Sequence, residues 1–172
     1  RDVALENDLL VMSDEVYEFM TYDQHEHIPF ASLPNMRNRT ITISSTAKTF
    51  GMTGWKVGYA CASPELSQAV RRMHQFVTFA TATPLQYGMA EALNQLESYL
   101  PEMRAAYVSK RNYLYQALRE IGFQPLCPSG TYYIVALYEA LSNKKAYEYC
   151  LELMQDYCVA TIPLSVFYQR SK

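Results

Sequence analysis

The residues in this sequence best suited to covalent chemistry lie between Ser44 and Gly58, in the run Ser44-Ser45-Thr46-Ala47-Lys48-Thr49-Phe50-Gly51-Met52-Thr53-Gly54-Trp55-Lys56-Val57-Gly58. A lone lysine, Lys48, follows a β-branched segment and sits among small and apolar neighbours. Burial disfavours an ammonium and lowers the pKa of a lysine, and a neutral amine attacks carbonyls to form Schiff bases. Ser45 stands three residues before Lys48 and Lys56 eight after it, with glycines at 51, 54 and 58. A hydroxyl and a cation among small residues suit a phosphate. Lysines in glycine-containing loops are also commonly solvated surface groups, and the spacing alone leaves that reading open.

A second candidate region is Ser13-Asp14-Glu15-Val16-Tyr17. It follows the apolar run Leu9–Met12, which reads as a buried parallel strand. Ligands in open α/β sheets bind at the carboxyl ends of strands, where Asp14 and Tyr17 are expected. An amine, a carboxylate, a phenol and a phosphate cup are the groups that a pyridoxal cofactor needs. The plainer alternatives are a turn or cap residue for Asp14 and core packing for Tyr17, one of fifteen tyrosines.

The elements that must position these groups read as an α/β alternation. Strands are expected at 9–13, 40–44 and 57–62, with a long loop over 20–38. Leu66, Ala69, Val70, Met73 and Val77 recur at helical spacing after Ser63-Pro64, an N-cap followed by a first-turn proline. A second stripe follows Thr83-Pro84. A third runs from Pro101 to Ile121 and closes at Gly122. Strands are then expected at 123–126 and 131–138, around Pro128-Ser129-Gly130. A helix follows near 146–157 and a last strand at 159–162. The tyrosines from Tyr132 to Tyr157 read as core of a second, smaller unit. Arg71-Arg72 and Lys110-Arg111 read as solvated helix faces.

The chain has 172 residues, 49% of them hydrophobic and 19% charged, so it can build a core and is not compositionally disordered. Fifteen basic against seventeen acidic residues leave a net charge of −2, which argues against nucleic acid or an anionic membrane as partner. The longest apolar run is far too short to span a bilayer. The four cysteines contain no C-x-x-C pair, so no zinc or redox motif is signalled, and scattered cysteines fit a reducing cytoplasm. His25-Glu26-His27 lacks a third ligand, and no metal is expected there. Hydrolase-elbow and P-loop motifs are absent from the sequence.

Three motifs, Ser13-Asp14-Glu15-Val16-Tyr17-Glu18, Ser45-Thr46-Ala47-Lys48 and Gly54-Trp55-Lys56-Val57-Gly58-Tyr59, resemble the pyridoxal-phosphate-dependent aminotransferases of fold type I. Within that family the likeness is to the class I/II branch that includes methionine and kynurenine–glutamine aminotransferases. Further likeness runs through His74–Phe79, Thr83–Gln86, Gly130–Tyr133 and Val159–Phe167. The resemblance implies a fold-type-I α/β architecture: residues 1–100 in part of the cofactor-binding large domain, 101–122 a connecting helix, and 123–172 part of a small domain. It implies transamination between an amino acid and a 2-oxo acid, with pyridoxal 5′-phosphate as cofactor. Lys48 would form the Schiff base, Asp14 pair with the pyridine nitrogen, Tyr17 bond the ring oxygen, and Ser45 and Lys56 hold the phosphate. Many relatives carry arginine at the position of Lys56, and a lysine offers a point charge in place of a bidentate fork. Phe79 lies where relatives reach into a neighbouring subunit, so a homodimer is expected. The family's carboxylate-binding arginine falls beyond residue 172, and Arg170 does not take its place. Its N-terminal half also lies outside these residues, so the isolated chain is not expected to transaminate. The alternatives are a carbon–sulfur β-lyase of the same fold and a non-catalytic, aminotransferase-like sensor domain.

Overall fold

A computed structural model describes residues 1–169. Tertiary contacts divide the chain into two compact units. The first comprises residues 1–112 and 128–133, and the second residues 113–127 and 134–172. This differs from the expected boundaries in two respects. The division falls within the long helix, and the Pro128–Tyr133 segment, expected in the small domain, returns to the first unit.

The first unit is built on a short sheet. Strand β1 (Val11–Asp14) pairs in parallel with β2 (Thr40–Ser44), in a register that sets Val11 opposite Thr40 and Asp14 opposite Ile43. Strand β3 (Tyr59–Cys61) runs antiparallel to β2 on its other side. A parallel pair needs a crossover, here supplied by residues 15–39 with two single-turn 3₁₀ segments, Phe30–Ser32 and Arg37–Arg39. The crossover is fixed from inside: Met20 and Met36 are fully buried, and the Thr40 hydroxyl donates to the Met36 carbonyl at 2.8 Å. Both parallel strands therefore end at one edge, with Asp14 last in β1 and Ser44 last in β2.

Around the sheet lie helices α1 (Asp2–Glu6), α2 (Pro64–Val77), α3 (Thr83–Asn94) and the first part of α4 (Leu96–Glu120). Helix α2 starts as its sequence predicts. The Ser63 hydroxyl accepts from the Leu66 amide at 3.4 Å and Pro64 opens the first turn. Helix α3 is pinned at Gly88, where the Trp55 ring passes so close that an added Cβ would lie 2.8 Å from it. Phe50, two residues beyond Lys48, stacks on Tyr99 of α4 with centroids 4.7 Å apart. The loop carrying Lys48 is thus packed against two helices at its far end.

Helix α4 begins at Leu96, five residues before the expected start, and holds Pro101 inside it. Pro101 removes the bond that its nitrogen would give to the Glu97 carbonyl and crowds that carbonyl, a disturbance confined to the second turn of a 25-residue helix. The other end matches expectation. Gly122 adopts φ +96°, its amide bonds to the Arg119 carbonyl at 3.1 Å, and the Phe123 amide bonds to the Leu118 carbonyl at 3.0 Å. These two bonds are a Schellman closure, which favours glycine at that backbone angle.

In the second unit, β4 (Gln124–Pro125) pairs antiparallel with β5 (Ala136–Leu137), and α5 (Ala146–Tyr157) stacks Tyr149 on Tyr138 at 4.8 Å. The expected strand over 131–138 is reduced to two residues, because the backbone of 129–131 bonds instead to residues 20–22. Residues 159–162 form no strand; a 3₁₀ segment, Leu164–Phe167, follows. Arg170 lies outside the described residues.

Candidate active site

The candidate site lies in the first unit, where the parallel strands end. Asp14 closes β1, is exposed, and accepts the Val16 amide at 3.3 Å, which turns the chain toward Tyr17. Glu15 points into the protein instead. Its side chain is only 4% exposed and takes hydrogen bonds from His27 at 2.8 Å and from the Phe30 amide at 3.0 Å. Burial alone would raise the Glu15 pKa, but the bonds from His27, Phe30 and Ser13 outweigh it and hold the carboxyl below its ordinary value. His27 is thereby engaged with a carboxylate, and no group of three metal-ligating side chains forms among the described residues.

Glu18 ties the ends of β2 and β3 together. One carboxylate oxygen accepts the Ser44 hydroxyl at 2.6 Å and the Tyr59 hydroxyl at 2.9 Å. From this anchored end the chain enters the turn 45–50, in which the Ser45 hydroxyl accepts the Ala47 amide at 3.2 Å and the Phe50 amide reaches back to Thr46. Thr46 and Thr49 are buried, so Lys48 is presented from a turn rooted on both sides.

Lys48 is half-buried, and its Nζ donates to the Tyr132 hydroxyl at 3.1 Å. This bond raises the amine's pKa, whereas the residue pattern alone suggested a downward shift from burial. The correction has a simple cause: the amine meets a phenolic oxygen that favours its charged form, and desolvation is the weaker influence. Tyr132 responds in the opposite sense. Hydrogen bonds with Tyr17, Tyr133 and Lys48 bring its hydroxyl down to about 8. The Tyr17 hydroxyl moves up, first through burial and then through its bonding with Tyr132 and Tyr133. Two phenols this close do not ionise together, and the one beside the ammonium carries the charge more readily.

The rings are packed as tightly as the hydroxyls. Tyr17 meets Tyr132 edge-on at 5.5 Å, Tyr133 lies 4.6 Å from Tyr132, and Tyr107 of α4 stacks along it at 6.5 Å. Tyr132 and Tyr133 are absent from the candidates that the motifs supply. Tyr132 is 84 residues from Lys48 in sequence, and the local signals are the turn-forming Pro128-Ser129-Gly130 and the family likeness of Gly130–Tyr133, neither of which points to Lys48. Arg111, expected on a solvated face, is another correction. It is buried, makes a bidentate pair with Asp23, and donates to the Pro128 carbonyl at 3.1 Å.

The remaining candidates are less tied. Lys56 is exposed, with a left-handed φ of +57°, and Phe79 follows α2 with 83% of its surface exposed and φ +69°. The structure brings Lys48 and Tyr17 together through Tyr132. Asp14 and Ser45 stand at the same edge of the sheet, with no side-chain bond to Lys48 among the described residues.

The chain that carries this amine–phenol cluster matches a known family along nearly all of its length. Residues 1–171 match the family described as aminotransferase class I and II. The chain belongs to this family. An Escherichia coli methionine aminotransferase is 38% identical over 161 residues, which are 94% of this chain and 42% of that protein. A Dictyostelium discoideum kynurenine–oxoglutarate transaminase is 38% identical, covering 92% of this chain and 40% of its own. The solved structure of Mycobacterium tuberculosis N-succinyldiaminopimelate aminotransferase superposes with a TM-score of 0.94 at 36% identity, covering 99% of this chain and 44% of that one. This aminotransferase chain therefore has the expected fold-type-I α/β architecture, and it spans less than half the length of the relatives it matches.

Proposed function

We propose that the protein is a pyridoxal-phosphate-dependent aminotransferase that moves an amino group between an amino acid and a 2-oxo acid. The observation that carries the proposal is the Lys48 amine, hydrogen-bonded within a tyrosine cluster at the carboxyl edge of the parallel strands. The donor set suits the cofactor: an amine for an aldehyde, a carboxylate for a pyridine nitrogen, phenols for a ring oxygen, and a hydroxyl with a cation for a phosphate. When bound, pyridoxal phosphate supplies an electron sink for the bond being broken at the substrate's α-carbon.

Lys48 is the residue that would hold the aldehyde and then, as a free amine, accept and return the proton at the α-carbon. Asp14 would keep the ring nitrogen protonated, and its exposure at the end of β1 leaves its carboxylate open to such a partner. Tyr17 would donate to the ring oxygen, a role suited to a phenol whose pKa is pushed up so that it keeps its proton. Ser45 and Lys56 would bind the phosphate. Phe79 and its exposed neighbours Phe76 and Val77 support a homodimer in which this apolar helix end is covered by a second copy. Four scattered cysteines without a C-x-x-C pair are compatible with a reducing compartment such as the cytoplasm. No helix among the described residues is long and apolar enough to cross a membrane.

The named relatives act on methionine, kynurenine and N-succinyldiaminopimelate, and this spread supports the reaction class more than any one amino donor. All are aminotransferases, which favours transfer over the carbon–sulfur lyase and sensor-domain alternatives. The test is to load the purified full-length protein that carries these residues with pyridoxal phosphate, reduce with borohydride, and map the labelled peptide while measuring transfer to an added 2-oxo acid. Labelling at Lys48 is expected. Lys48→Ala should abolish the label and cut transfer by about 10²–10⁴-fold for the lost proton-transfer role alone. Label elsewhere, or undiminished transfer, overturns the proposal.

A further inference from the structure

Tyr132 reaches Lys48 by way of a short strap, Pro128–Tyr133, which is hydrogen-bonded to Met20 and Tyr22. The Tyr22 amide donates to the Ser129 carbonyl at 2.9 Å, and the Thr131 amide donates to the Met20 carbonyl at 2.9 Å. The Tyr22 hydroxyl, on a residue only 3% exposed, donates to the Thr131 carbonyl at 2.7 Å. Arg111 closes the arrangement from α4, holding the Pro128 carbonyl and the Asp23 carboxylate together and lying 5.2 Å over the Tyr22 ring. At Gly130 a Cβ would lie 2.8 Å from the Met20 carbonyl oxygen, so the strap approaches the crossover as closely as a backbone can.

One feature of the strap runs against local preference. Thr131, a β-branched residue, adopts φ +63°, in the left-handed region that such residues avoid. Backbone held in this way persists only where its surroundings impose it, and it marks positions whose geometry is fixed for a purpose beyond local comfort. The next residue is Tyr132. Its ring is held between Tyr17, Tyr133 and Tyr107, and its hydroxyl ends 3.1 Å from the Lys48 amine. The Lys48 Nζ also lies 5.6 Å from the centre of the Tyr132 ring.

We propose that Tyr132 is a positioning residue for Lys48: strapped to the crossover at residues 20–23, it anchors the amine at the sheet edge in its charged form before any aldehyde is bound. The proposal rests on the reading of Lys48 as the cofactor-holding amine, but it concerns the lysine itself. Lys48 is a long, rotatable side chain, and the hydrogen bond selects one location for its end. The groups facing this pair are the phenols Tyr17, Tyr133 and Tyr107, and a second ammonium, Lys110, lies 5.2 Å over the far member of the set, Tyr107. The lowered pKa of Tyr132 and the raised pKa of Lys48 agree with the geometry, because each favours the charged form of the other.

Coupling of this kind is reciprocal, so it can be read from either side. The experiment uses the purified protein with its cofactor removed. Lys48 is acetylated with trace acetic anhydride across a pH series and quantified by peptide mass spectrometry. Tyr132→Phe keeps the ring and removes the oxygen. It should lower the pH midpoint of Lys48 labelling and raise its labelling rate severalfold at a fixed alkaline pH below that midpoint. An unchanged midpoint overturns the proposal.

The second arm does not depend on the folding of that variant. In Lys48→Ala, the Tyr132 hydroxyl, which Tyr17, Tyr133 and Lys48 together bring down to about 8, should titrate higher in the ultraviolet spectrum than it does in the unaltered protein. A titration unmoved by loss of Lys48 overturns the proposal as well. Borohydride trapping of pyridoxal phosphate on the unaltered protein reports separately on the cofactor reading. Trapping at Lys48 with unchanged midpoints defeats the role of Tyr132 alone. Shifted midpoints without trapping defeat the cofactor reading and leave the Tyr132–Lys48 pair standing.

Discussion

The turn that carries Lys48 and the helix end that carries Phe79 belong to the same unit and are built on opposite plans. Around Lys48, polar groups converge: Ser44 and Tyr59 meet on Glu18, Lys48 meets Tyr132, and Arg111 meets Asp23. Around Phe79 the surface is apolar and open, with no buried residue in α2 and with Phe76 and Phe79 both more than four-fifths exposed. The first region is tied by its own polar contacts, with only the buried Thr49 hydroxyl left unpartnered among the described residues of the Lys48 turn, and its scale suits something small. The second cannot satisfy itself, because apolar surface has nothing to gain from water, and its chemistry points to a large partner surface. A residue that shapes a reaction is recognised here by the bonds that hold it, and a residue that shapes an assembly by the contacts it still lacks.

The contrast breaks most directly at Gly130. If the strap is what makes the Lys48 region self-sufficient, Gly130→Ala forces a Cβ to within 2.8 Å of the Met20 carbonyl oxygen, a backbone atom that cannot step aside cheaply. The expected cost is about 1–3 kcal/mol in urea-induced unfolding. It should be accompanied by loss of the Tyr132 effect on Lys48 labelling. A neutral Gly130→Ala would mean that the strap is loose and the comparison misplaced.

The buried Glu15–His27 pair sharpens the same comparison through pH. Glu15 has a folded pKa below its ordinary value, so the ionised carboxylate favours the folded state. That contribution is fully present above the unfolded value of about 4.5 and disappears as pH falls through the lower folded value. Glu15→Gln should therefore cost about 1–3 kcal/mol near neutrality, the penalty for weakening charged hydrogen bonds to His27 and Phe30. The difference from the unaltered protein should shrink in acid, as followed by urea melts across pH. Equal stability loss at pH 3 and pH 7 would show that the pair acts through packing and not through charge.

Much of this was legible in the residues themselves, for reasons that differ along the chain. Strand β2 and helix α2 follow from β-branched alternation and from Ser63-Pro64, whereas the run expected as a buried strand over 9–13 forms β1 only at Val11–Asp14 and leaves Leu9, Leu10 and Met12 exposed. Lys48, Tyr17 and Asp14 were visible because their motifs are local. Tyr132 was not, because its meeting with Lys48 closes a gap of 84 residues through bonds made by Met20, Tyr22 and Arg111. The same bonds divert residues 129–131 from the expected strand, since a backbone amide given to Met20 cannot also serve a ladder. The protonation of Lys48 is hidden for a related reason: small neighbours suggest burial, but a phenol distant in sequence favours the charged form.

The smallest effect is expected at Lys56, which lies between the two plans. It is polar and proposed to meet a phosphate, yet it is exposed and strung on a left-handed backbone position. An ammonium there acts as a point charge, tolerant of geometry. A guanidinium would add a planar fork able to bond two phosphate oxygens at once. Lys56→Arg should therefore tighten binding of pyridoxal phosphate by a few-fold at most, about 0.5–1 kcal/mol, because much of any gain at an exposed site is lost to solvent screening and side-chain entropy. Fluorescence titration of the cofactor-free protein would measure it, with inorganic phosphate as a competitor to separate the anion contact from the rest. A gain that inorganic phosphate does not compete away would remove Lys56 from the phosphate site and return it to the solvated surface. A modest, competable gain would place it with the Lys48 turn, as a group whose partner is small and charged.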